Sequence, residues 1–189
     1  MASRTQMVCL CEGRQGQSID EVFINKLIKS LDPNWMRPSG GSNTLRLVPC
    51  GGRTAVIEKM PGELKNCLGA GGHTTLMVWA DCDHDRADGE ALKADFWKES
   101  QKHGISKGDF DKVVFIFAKD RLENWIEYLM TGKTDEATEG PRLKHTRQAA
   151  DAAKKLADMC KAGQPFDGTP TSLNWSCKNW HALRVRMTT

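Results

Sequence analysis

The sequence predicts an α/β domain: a mostly parallel, Rossmann-like sheet with helices on both faces, followed by a C-terminal helical extension. Three observations predict it. Short β-type runs alternate with longer amphipathic stretches from residue 7 to residue 130, the pattern of a parallel sheet with right-handed crossovers. Thr74 to Ala80 (TTLMVWA) is an almost unbroken apolar run bounded by turn residues, as suits a central strand buried on both faces. A chain of 189 residues, 39% hydrophobic and 27% charged, is one domain's worth of globular sequence with enough apolar material for a sizeable core.

Each element has its own signal. Met7 to Cys11 reads as the first strand. Ser18-Ile19-Asp20-Glu21 fits a capping box, in which serine and glutamate satisfy free donors at a helix start. Phe23, Leu27, Ile28 and Leu31 continue that helix at helical spacing until Pro33 stops it. A polar, Gly-rich loop from Pro38 to Asn43 leads to a second strand, Thr44 to Val48, closed by Pro49 and the Gly51-Gly52 turn. Thr54 to Leu68 reads as a helix with Val56, Met60, Leu64 and Cys67 inward, and Pro61 inside it predicts a kink or early break. Gly69 to Gly72 is a turn before the apolar third strand. A helix over 89–103, a strand over 112–117 and a helix over 121–130 complete the alternation. A polar loop over 131–141 precedes two further helices, 146–161 and 172–185. Residues 1–140 thus form the α/β core, and residues 141–189 a basic helical extension packed on the same domain.

Charge is unevenly placed. From Pro141 onward nine Lys/Arg face three Asp/Glu, a net +6, which leaves 18 against 21, or −3, for the preceding 140 residues. No apolar run approaches the ~20 residues of a membrane span, and Met7 to Cys11 is too short for a signal-peptide core. A cytoplasmic protein with no membrane partner is expected. Seven cysteines without a CxxC pair argue against structural zinc and a disulfide framework, and for reduced, mostly buried thiols. Cys82, between two aspartates, stands apart.

In open α/β sheets ligands sit beyond the carboxyl ends of the strands. Three acidic features fall there. Glu12 follows the first strand and precedes Gly13. Asp81 and Asp83 follow the third strand, where alternate residues are expected to share a face. Glu123 lies one turn into the helix after the fourth. Carboxylates gathered in one place repel unless a cation joins them, and oxygen-only ligands suit Mg²⁺ or Mn²⁺ rather than zinc. Other jobs exist for some of these residues. Asp120-Arg121-Leu122-Glu123 also fits a capping box, and His84 and Asp85 read better as solvated loop residues than as ligands.

Cys11-Glu12-Gly13, the Ser18 to Glu21 helix start, Pro49-Cys50-Gly51-Gly52 and Trp79-Ala80-Asp81-Cys82-Asp83 together resemble the Toprim fold. That catalytic domain is shared by topoisomerases, DnaG-type primases, small RNA-maturation nucleases and OLD-family nucleases. The resemblance spans residues 7–130. It implies Glu12, Asp81 and Asp83 as metal-holding and catalytic residues. The stretch Arg121 to Ile126 resembles the Glu-x-Trp segment of OLD-like and standalone bacterial Toprim proteins, which adds Glu123. The sequence departs from the family where an aspartate usually follows the glutamate closely. The nearest aspartate is Asp20, with Arg14 to Gln17 intervening.

The resemblance implies a Mg²⁺- or Mn²⁺-dependent nuclease hydrolysing phosphodiester bonds, DNA ahead of RNA, as the effector of a phage-defence or mobile-element system. Arg142, Lys144 and Arg147, with His145, form a basic cluster that either holds substrate phosphates or is an ordinary solvated helix start. A topoisomerase needs a nucleophilic tyrosine on a separate domain, and the one tyrosine, Tyr128, sits in an amphipathic stretch where packing suffices to explain it. Gly69 to Thr74 lacks the lysine of a Walker A loop, so any ATPase is a partner subunit. The alternative is a non-catalytic nucleic-acid-binding or regulatory subunit on the same fold.

Overall fold

The computed structural model describes residues 6–16, 18–36, 45–70, 74–138, 146–162 and 169–188. Among them the order is β1 (Gln6–Cys11), α1 (Ile19–Leu31), β2 (Leu45–Pro49), α2 (Arg53–Gly69), β3 (Thr74–Asp81), α3 (Gly89–Lys102), α4 (Lys107–Phe110), β4 (Val114–Ala118), α5 (Leu122–Thr131), α6 (Thr146–Ala162) and α7 (Thr171–Thr188). The four strands form one sheet in the order β2-β1-β3-β4. Every pairing is parallel, with Met7 opposite Leu45 and Thr75, and Met77 opposite Val114. The fold is therefore the α/β, Rossmann-like architecture that the alternation predicts.

Alternate strand residues feed two separate cores, as the two-residue period requires. Met7, Cys9, Cys11, Met77, Trp79 and Ile116 pack with α1, α5 and α6. Val8, Leu10, Leu76, Val78, Phe115 and Phe117 pack with α2 and α3. On the first face Trp79 stands edge-on to Phe23 (5.8 Å between centroids) and to Trp125 (5.7 Å). On the second, Phe117 stacks between Phe96 (5.6 Å) and Trp175 (5.4 Å). Such pairs contribute roughly 0.5–1.5 kcal/mol each beyond their buried area.

The helix starts follow local chemistry. Ser18 caps α1 with its complete box, accepting from the Glu21 amide while the Glu21 carboxylate accepts from the Ser18 amide. The Asp88 side chain accepts from the Ala91 amide at the start of α3. Two sequence expectations change. The helix α2 runs unbroken through Pro61, whose ring is buried in the core; packing on the sheet outweighs the one hydrogen bond that proline forfeits. The one-turn helix α4, capped by Ser106, is too short to leave a periodic signal. The Pro38 to Asn43 loop lies outside the described residues. No helix among the described residues is long and apolar enough to cross a membrane.

The C-terminal helices are built into the domain. α6 lies along α1 and α5, with Ala149, Ala152, Ala153 and Ala157 buried at the contact; small side chains let the helix axes approach closely. α7 covers the open edge of the sheet. Its Ser176 hydroxyl accepts from the Phe117 amide (3.0 Å) and donates to the Phe117 carbonyl (3.1 Å), and the Asn179 amide donates to the Phe115 carbonyl (2.9 Å). An edge strand's unpaired backbone groups invite pairing with other chains, and here helix side chains satisfy them. Ser176→Ala should leave two buried backbone groups unpaired and lower stability by about 1–3 kcal/mol. Urea unfolding measures this, and a loss below ~0.5 kcal/mol would show that the edge does not rely on the hydroxyl.

Candidate active site

The chain leaves β1 toward α1 on one face and leaves β3 toward α3 on the other. A crevice opens between their carboxyl ends, the switch point at which such sheets bind ligands. Glu12 stands on one side and Asp81 on the other, joined by a hydrogen bond from the Asp81 amide to Glu12 Oε1 at 2.7 Å. Gly13 follows because nothing larger fits: a Cβ there would lie 2.2 Å from Ser18 Oγ and 3.4 Å from Asp20 Oδ2. The turn after β2 docks alongside, the Cys50 amide donating to the Cys11 carbonyl (2.8 Å) and the Gly51 amide to the Gly13 carbonyl (3.1 Å).

That turn delivers Arg53, the first residue of α2. Its guanidinium donates to both oxygens of Asp85 (2.8 and 2.6 Å) and to the Cys82 carbonyl (3.0 Å), and pairs with Asp83 at 3.1 Å. Asp83 does not continue the strand. It adopts φ +48° and bridges Asp120, itself at φ +61°. The shared-face expectation for Asp81 and Asp83 therefore fails: β3 ends at Asp81, and Asp83 turns into solvent against Arg53. Left-handed aspartates on two adjacent loops store backbone strain, a feature that gathers at functional sites.

The carboxylates act on one another. Burial holds the Asp81 carboxyl well above its usual range, and the charges of Glu12, Asp20, Glu123 and Asp83 add to it. Burial, helped by the charges of Asp83 and Asp20 and opposed by the Asp81 amide and Arg53, pushes Glu12 up to about 7. Asp20 rises to about 6, first through burial and then through Glu123. Asp81 Oδ1 is buried with no hydrogen-bond partner. These are all oxygen donors of one sign, the chemistry of a hard divalent cation site. They are not closed around one. Among the described residues no three His, Cys, Asp or Glu groups stand close enough to hold a metal ion; Glu12 is engaged by the Asp81 amide and Asp83 by Arg53.

The sequence-predicted residues divide as follows. At the carboxyl edge the charges of Glu12, Asp83 and Glu123 all reach Asp81, and that of Asp83 also reaches Glu12. The capping alternative for Glu123 fails: Arg121 is the N-cap of α5 with no side-chain capping bond, and the buried Asp120 carboxylate faces His84 Nε2 at 3.0 Å. His84 is 63% exposed, and Asp85 is held by Arg53. Cys82 is buried, and burial pushes its thiol up to about 12, so it offers no nucleophile. Arg142, Lys144 and His145 lie outside the described residues. Arg147 is exposed on the first turn of α6, 4.0 Å from Asp151. Sequence reasoning set Asp20 aside and missed Arg53. The signals were an aspartate two residues after a helix cap and a cation directly after Gly51-Gly52.

Protons bind the folded state more tightly than the unfolded chain at these sites. Glu12 moves from 4.5 to about 7 and Asp20 from 3.8 to about 6. The folded state therefore loses stability as pH rises through that window. Without divalent ions the protein should be more stable near pH 5 than near pH 8, by on the order of 1–3 kcal/mol, and Glu12→Gln should remove part of the slope. Urea unfolding across pH checks both; a flat or rising profile in the wild type contradicts the buried-carboxylate geometry.

Compared with protein-family models, curated proteins and solved structures, the chain matches none.

Proposed function

We propose that the chain is a Toprim-type, Mg²⁺- or Mn²⁺-dependent nuclease that hydrolyses phosphodiester bonds, with DNA the first substrate to test. The observation that carries this reading is the buried, unpartnered Asp81 oxygen beside Glu12, Asp20, Asp83 and Glu123 at the switch point of a parallel sheet. Carboxylates kept together at a cost to stability are accounted for by a cation that they bind. Asp81, Asp83 and Glu12 are the residues to hold it, with Glu123 and Asp20 beside them. The ion supplies Lewis-acid polarisation of a phosphate's non-bridging oxygens.

The chain's own groups do the rest. Glu12, balanced near pH 7, is the side chain able to exchange a proton with an attacking or leaving oxygen. Arg53 is the nearest guanidinium, its charge reaching Glu12, and it fixes the Asp83 to Asp85 turn that borders the crevice. Arg147, exposed on the first turn of α6, offers a phosphate contact. A partner ATPase and a role as effector in a defence or mobile-element system remain part of the proposal. A second reading, a nucleic-acid-binding subunit without catalysis, is favoured by two observations: Arg53 occupies Asp83, and among the described residues no three ligands are closed around a site.

Purified protein incubated with DNA and RNA in Mg²⁺, Mn²⁺ or EDTA separates the two. Cleavage should require the metal, and Asp81→Ala and Glu12→Gln should each lower it by about 10²-fold or more. Equal cleavage by wild type and Asp81→Ala would mark the activity as contamination. Binding without cleavage would leave the second reading standing.

A further inference from the structure

Cys160, near the end of α6, and Cys177, in the second turn of α7, stand side by side on the wall of one pocket and shift each other's thiol, Cys160 downward and Cys177 upward. Both are half-buried, and both line a surface pocket of about 340 Å³ whose walls include Trp35, Trp180, Lys161 and Arg184. Four of the other five cysteines lie deeper. Cys9, Cys11, Cys67 and Cys82 are buried in the core, and burial raises Cys11 and Cys82 to about 12 and Cys67 to about 11. Reactive cysteines are partly exposed and have cations nearby; Cys50 is also half-buried, with Lys59 acting on it, but burial raises its thiol, whereas the Cys160 thiol is lowered.

We propose that Cys160 and Cys177 are a reversible dithiol–disulfide pair, oxidised by exchange with an anionic low-molecular-weight disulfide that enters this pocket. Cys160 is the attacking sulfur: Cys177 and the cationic Arg184, on the same pocket wall, hold its thiol below the usual range and so favour its thiolate. The Cys160 thiolate attacks one sulfur of the small disulfide, whose S–S bond breaks and releases one thiolate. Cys177 then gives up its proton and attacks Cys160 in the mixed disulfide, and a second small thiolate leaves. Two protein thiols are oxidised to one disulfide, one small disulfide is reduced to two thiols, and the two protein protons end on the departing thiolates. The product bond staples α6 to α7, the helix that covers the sheet edge. Lys161 and Arg184 suit a disulfide carrying carboxylates, which makes oxidised glutathione the probe.

Reduced full-length protein is incubated with oxidised glutathione, alkylated with N-ethylmaleimide under denaturing conditions, and read by intact mass and peptide mapping. Five of the seven cysteines should be alkylated, with Cys160 linked to Cys177, a higher Tm than the reduced protein, and full reversal by dithiothreitol. Cys177→Ser should stop at a glutathione adduct on Cys160, and Cys160→Ser should form neither adduct nor bond. Seven alkylated cysteines in the wild type, a persistent adduct without closure, or a linkage through Cys9, Cys11 or Cys50 would each overturn the proposal. The wild-type result decides alone if either serine variant fails to fold.

Discussion

The chain reverses its direction of travel across the sheet between β2 and β3, and the rest of the molecule is arranged around that reversal. From β1 it steps outward to β2 over one face; from β2 it crosses back beyond β1 to β3 over the other, and then continues the same way to β4. Crossovers of one hand must change face when the direction changes. This puts α1 opposite α2 and α3 and parts the segments leaving β1 and β3. The gap between them is where Glu12 and Asp81 meet. The acidic site is thus a product of topology: any residue directly after β1 and at the end of β3 would face its counterpart across the crevice.

Placing β1 and β3 at the centre has a second consequence. Both are buried on both faces, so their side chains cannot alternate between apolar and polar, and two cores are needed to cover them. The sheet is narrow, and its β4 edge would be open if the chain ended after α5. α7 supplies what a fifth strand would, with side-chain hydrogen bonds from Ser176 and Asn179 in place of a backbone ladder. It also sends Trp175 to one core and Leu173 and Leu183 to the other. Gly89 marks how close this fit is, because a Cβ there would lie 2.8 Å from the Trp175 ring.

Most of the fold was legible because its signals are periodic or punctuated. The TTLMVWA run, the Ser18 capping box and the Val56, Met60, Leu64 and Cys67 stripe each state a backbone preference that packing then obeys. Glu12 and Asp81 were legible as acids at strand ends. What escaped depends on contacts distant in sequence. Nothing local says that Ser176 meets Phe117, 59 positions earlier, or that Arg53 reaches Asp85. Glu123 shows the opposite failure: the local pattern fits a cap, yet Asp120 takes a left-handed conformation to face His84 and α5 starts from Arg121 instead. A capping motif is a statement about one helix end, and a tertiary bond to the same aspartate outweighs it.

Both proposed sites flank α1. Asp20 in its first turn belongs to the carboxyl edge, while Leu31, in its last turn, and Pro33, just beyond it, line the thiol pocket with Trp35. The two ends differ in the sign of their charge: carboxylates gather at one, and Lys161 and Arg184 line the pocket at the other. The acidic end is held against its own repulsion. Its carboxyls are raised by burial first and by one another second, so protonation and cation binding are alternative ways of relieving the same strain. A fold that wanted only stability would have replaced Asp81 with an apolar residue, since its neighbour Ala80 is buried and the amide that bonds Glu12 belongs to the backbone. The Asp81 side chain, with no hydrogen-bond partner for its buried Oδ1, therefore costs the scaffold stability that an apolar side chain there would not.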